Sequence, residues 1–200
     1  MIKRLALFGC VAAFAALASA AAIGQGAPTP GNLIEEVRLL YYSTVQSNIL
    51  RAAEQFPEGS YAWQPTPEVR SWARLIGHIT DDNNVMCWAV SRAGERPAFV
   101  DMPNGAESGA NRMSKADLVA GLRASIERCD RAFAALTPTT MNEPSGLRPG
   151  MTKIGALIYN TSHTNEHYGN LVTYMRLRNL VPPSSQVNGA GRATADRPAQ

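Results

Sequence analysis

Between residues 33 and 179 the apolar positions recur at three- and four-residue intervals in four stretches, and loops rich in proline and glycine part them. The first stretch, about Leu33 to Gln55, carries Leu33, Val37, Leu40, Tyr41, Val45, Ile49 and Ala52 on one face, and FPEGSYAWQPTPE closes it. The second starts behind Ser71 as N-cap and runs through Trp72, Leu75, Ile79, Met86 and Ala89 to the break SRAGERP. The third opens with Ser114 as N-cap and Asp117 in a short-armed capping box, and ends near Leu136. The fourth spans about Thr152 to Asn179, with Pro182 and Pro183 barring its continuation. No run alternates with period two long enough to make a strand. The pattern therefore predicts an all-α domain, a four-helix bundle of antiparallel or crossover connectivity over residues 32–183.

The ends of the chain lack this pattern. MIKRLALFGCVAAFAALASA joins Lys3 and Arg4 to an apolar run and a small-residue cleavage site, the layout of a signal peptide over residues 1–20. Residues 21–31 read as a flexible linker and 184–200 as a disordered tail. The expectation is an exported bacterial protein, periplasmic or secreted, with no stable membrane anchor after cleavage. The formal charge of +3 falls by two, to +1, once Lys3 and Arg4 leave. No dense basic stripe remains for a phosphate backbone, so nucleic acid is excluded as a partner.

Removal of the leader leaves Cys87 and Cys129, each within a helical stretch. Cys129 shares the apolar face of Leu118, Leu122 and Ile126, so it reads first as a small buried hydrophobe. A bridge to Cys87 is the alternative, and it depends on Cβ geometry that spacing does not supply.

Three histidines carry the candidate chemistry. His163 and His167 stand four residues apart, 40° around the fourth helix, on a face shared with Ala156, Leu171 and Tyr174. His78 shares its face of the second helix with Leu75, Asp82, Val85, Met86 and Ala89. All three rings should project inward and converge if the two helices are neighbours, which is how helical bundles assemble metal sites. The competing reading is three ordinary hydrogen-bonded histidines. Residues 163–167 also spell H-x-x-E-H, the signature of one class of zinc peptidase, but Glu166 is turned about 100° from His167 and only 33 residues follow.

The segments PEGSYAWQPTPEVRSWARLIGHITDDN and HTNEHYGNLVTYMRLRNLVPPSS resemble the two signature regions of the DinB/YfiT-like metal-dependent bundle proteins. The resemblance extends over about Leu33 to Ser185. It implies a four-helix bundle with a long crossover, in which His78, His163 and His167 hold a divalent metal. Zinc or nickel suits such ligands. Three neutral histidines leave coordination positions open, as catalytic sites do, so the implied function is a small metalloenzyme acting on an unidentified small molecule. Characterised relatives are largely thiol-dependent transferases or isomerases; export would separate this chain from cytoplasmic thiols, so metal-assisted hydrolysis is an equal expectation. A non-catalytic metal-binding or interaction module is the alternative. Relatives often dimerise, which implies a homodimer.

Asp82, one turn after His78, is the candidate supporting residue, either accepting the distal N–H of a ligand histidine or acting as a base; a partly exposed helix charge is its ordinary reading. Tyr174 could place its hydroxyl in the cavity or serve as core. Trp63, Trp72 and Trp88 read as packing residues.

Overall fold

The structure, a computed structural model, describes residues 31–102 and 108–186. The expected signal peptide, most of the expected linker and the part of the expected tail beyond Gln186 lie outside the described residues. No strand occurs among those described; the nearest approach is an isolated bridge between Pro144 and Thr152.

Four helical rods build the domain. The first is composite: α1 (Leu33–Tyr41) passes into a π-helical stretch (Tyr42–Leu50) and then α2 (Arg51–Gln55). The sequence pattern reads this rod as uninterrupted α-helix. In the π stretch the wider turn keeps Tyr41, Val45 and Ile49, spaced by four and all fully buried, more nearly in line than 3.6 residues per turn would. The Ser43 and Asn48 side chains each donate to a backbone carbonyl there, drawing acceptors away from the regular ladder.

The other rods are α3 (Trp72–Ser91), α4 (Lys115–Ala135) and α5 (Lys153–Leu177). Each begins on a hydroxyl that accepts an orphan N–H: Ser71 from Arg74, Ser114 from Asp117 and Thr152 from Gly155. At Ser114 the capping box is incomplete, because the short Asp117 carboxylate accepts from the Ser114 hydroxyl rather than from its backbone N–H. α5 stops before the prolines. Asn179 turns left-handed at φ 58°, and Leu180 and Asn179 donate to the carbonyls of Met175 and Arg176, closing the last turn.

α3 packs on both α4 and α5, and the first rod packs on the same two helices from the other side. The connections from the first rod to α3 and from α4 to α5 therefore cross the bundle. Ile76, Ile79, Leu118, Leu122, Leu157 and Leu171 fill the middle, each at most 1% exposed. Full burial of such a side chain contributes roughly 1.5–3 kcal/mol. At one end Phe56 stacks on Trp72 with ring centroids 3.7 Å apart.

Cys87 and Cys129 form a disulfide joining α3 to α4 across 42 residues. The reading of them as unlinked hydrophobes is thus corrected: the two helices lie close enough there, with Cα atoms 4.9 Å apart, for the bond to form. The expectation of disorder from residue 184 also fails for its first three residues. Ser184 exchanges hydrogen bonds with the Tyr168 hydroxyl, and the Gln186 amide bonds Arg51 and Gln55.

Residues 99–102 and 108–110, within the segment between α3 and α4, form a strap against α3. Gly77 makes this approach possible, since a Cβ there would lie 2.8 Å from the Cβ of Ala110. Asp81 fixes the strap by accepting the backbone N–H groups of Val100 and Asp101 at 2.7 and 2.8 Å.

Candidate metal centre

His78 and Asp82 lie one turn apart on α3, and His163 and His167 one turn apart on α5, so the packing of these two helices brings all four together. One potential ligand atom from each falls within 4.8 Å of the others. The ring centroid of His78 is 5.3 Å from that of His163 and 4.7 Å from that of His167, while His163 and His167 are separated by 4.5 Å. His167 is buried, and His78 and His163 are about one fifth exposed.

The polar atoms of the cluster do not satisfy one another. Asp82 Oδ2 lies 2.8 Å from His163 Nδ1 and 3.3 Å from His78 Nε2. Both Asp82 Oδ2 and His163 Nδ1 are nevertheless buried without a well-aligned hydrogen bond. The Nε2 atoms of His163 and His167 stand 3.1 Å apart. Two unprotonated ring nitrogens at that distance repel unless a proton or a cation lies with them. On its other edge His167 Nδ1 meets the Asn170 amide at 3.3 Å, which leaves Nε2 facing the cluster.

Electrostatics prepare the same state. Burial pushes His78 down to about 3, helped by the Arg70 cation and then by His167 and His163. Burial also takes His167 down to about 4, with His163 and Arg70 acting in the same sense. Both rings are therefore neutral at neutral pH, the form in which imidazole ligates a metal. Burial raises Asp82 to about 6 against the opposing pull of His163. Neutral imidazoles with a carboxylate beside them, on two helices and partly shielded from water, could hold a metal ion.

The sequence-predicted residues His78, His163, His167 and Asp82 all meet here. Glu166 does not: it is exposed on α5 and outside the cluster, so the peptidase motif is not assembled. Tyr174 donates its hydroxyl to the Arg70 carbonyl at 2.8 Å and lines a neighbouring cavity of about 500 Å³. A smaller cavity of about 220 Å³ opens on His78 and Asp82, walled by Arg70, Phe99 and Met102. Sequence reasoning did not single out those three. Arg70 precedes its helix, and Phe99 and Met102 sit on the strap, where no periodicity marks a face.

A family model described as the DinB superfamily matches residues 41–171. The match runs from the last residue of α1 into the second half of α5 and includes all four clustered residues. No match is found among curated proteins.

Proposed function

The chain belongs to the DinB superfamily, and on that footing we propose that it is an exported, metal-dependent enzyme acting on a small molecule by transfer or hydrolysis. The observation that carries the reading is the convergence of three histidines and one carboxylate from α3 and α5, with buried polar atoms left unsatisfied. His78, His163 and His167 would hold the ion, and zinc or nickel fits them best. Such an ion would supply Lewis acidity at neutral pH.

The protein's own groups set the rest. Asp82 Oδ2 faces His163 Nδ1, so it fixes which ring nitrogen bears the proton and turns Nε2 toward the centre. Asn170 lies against Nδ1 of His167 at the opposite edge and orients that ring, with Nε2 toward the cluster. The small cavity beside His78 gives a substrate access from one side, with Phe99 and Met102 of the strap on its wall. A disulfide between α3 and α4 supports the assignment to an oxidising compartment.

Elemental analysis of the purified chain tests the centre. The wild type should carry about one divalent ion per chain, and His163→Ala and His167→Ala only traces. Equal metal content in all three would falsify the assignment.

A further inference from the structure

The cavity beside His78 and Asp82 is small. At about 220 Å³ it lies below the roughly 300–1,000 Å³ of sites for drug-sized ligands, so it takes a compact molecule. Its lining is unevenly engaged. Asp81 uses both carboxylate oxygens on the backbone N–H groups of Val100 and Asp101. Asp101, 4% exposed at its side chain, accepts from Arg70 Nε at 3.3 Å, Arg74 Nε at 3.0 Å and the Ser108 hydroxyl at 2.7 Å. Of the three acids on the wall, these two are thus already engaged by the protein, and the third, Asp82, is turned to the histidines.

Arg70 is the opposite case. Tyr174 holds its backbone carbonyl and Asp101 holds its Nε, so the backbone and the inner edge of the guanidinium are anchored. Among the described residues its two terminal amino groups make no hydrogen bond. The side chain is one third exposed, and it lines both the small cavity and the 500 Å³ one that reaches Asn170. An anchored guanidinium with its outer fork free matches a carboxylate in geometry and charge. Phe99 and Met102, each about half exposed, line the same small cavity and give it an apolar wall, with the Arg96 guanidinium over the Phe99 ring.

We propose that Arg70 is the specificity residue of this site, binding the carboxylate of a small substrate whose short apolar arm lies on Phe99 and Met102 and whose reacting end reaches the His78–Asp82 side. This rests on the reading of the histidine cluster as a metal centre.

The test uses the cobalt(II)-loaded chain, with cobalt content measured first and the visible spectrum as readout. Two probes are compared: 3-mercaptopropionate and its uncharged counterpart 3-mercaptopropan-1-ol. The wild type should bind the acid roughly ten- to a hundredfold more tightly, as a charge-assisted hydrogen bond predicts. Arg70→Met should lose that preference while keeping its cobalt and its affinity for the alcohol. Should circular dichroism show Arg70→Met unfolded, Arg70→Lys takes its place; it keeps the charge without the fork, so the preference should shrink to a few-fold. Equal binding of both probes, no spectral response to either, or a preference undiminished in the folded variant would overturn the role of Arg70 and leave the metal centre standing. Absence of cobalt from the wild type would instead overturn the metal centre, and this proposal with it.

Discussion

Asp82 and Asn83 are neighbours on α3, yet they serve two differently built regions. Asn83 is fully buried; its amide donates to the Ser125 hydroxyl at 3.1 Å, and its carbonyl accepts from the Asn160 amide at 2.9 Å. Beside this network the disulfide ties α3 to α4, so three rods are clamped at one level. Asp82 faces the histidines, where short contacts leave buried atoms without aligned partners. On the same two helices, one polar cluster is bonded across the rods with Asn160 Oδ1 as its buried unpaired atom, and the other leaves both Asp82 Oδ2 and His163 Nδ1 unpaired. The first positions the rods, and the second uses that position: Asn160 lies one turn before His163, so the clamp fixes the face on which the histidines stand.

If this division is right, the two regions should fail in different ways. The largest effect belongs to the histidines: His167→Ala should lower metal affinity by more than the roughly 10–100-fold typical of a supporting group, measured by competition with a chromophoric chelator, with little change in the melting temperature of the metal-free chain. Replacing both Cys87 and Cys129 by serine should do the reverse. Loss of a cross-link closing 42 residues costs about 4 kcal/mol, or roughly 10 °C in melting temperature, by calorimetry. Metal affinity below the melt should change only a few-fold; a loss as large as that of His167→Ala would show that the two regions are one. Asp82→Asn comes next, with an expected 10–100-fold weakening of metal binding and a preserved fold.

Acidification supplies the last test. The lowered values of His78 and His167 mean that the unfolded chain binds their protons more readily, so stability of the metal-free chain falls as pH drops from about 6.5 toward 4 and 3. Asp82 acts in the opposite sense: its raised value stabilises the folded state below 3.8, and that contribution is lost as pH rises through about 6. Chemical denaturation of the wild type and Asp82→Asn across pH 4–7 separates the two. The variant should lose stability on acidification more steeply than the wild type, and parallel curves would count against the assigned role of burial at Asp82.

Much of this was legible in the sequence because it is periodic. The rods, the Ser71 and Ser114 caps and the inward face of the histidines follow from spacing and residue type, and His78 joined the pair once α3 and α5 proved to be neighbours. The π stretch was hidden because Tyr41, Val45 and Ile49 satisfy an α pattern equally well. The disulfide was left open because partners on different helices meet only through packing. The cavity wall was invisible for a related reason: Phe99 and Met102 lie on a strap whose position depends on Asp81 and Gly77, not on any pattern of its own.

That missing side chain at Gly77 ties two parts of the molecule that the chain itself separates. Because the strap rests on α3 one residue before His78, the surface that sorts guests and the ring that meets them share a single foundation. Changes elsewhere in the strap can reshape which guests are admitted without moving the imidazoles, whereas a methyl group at position 77, directly before His78, would press on the doorway and the hearth together.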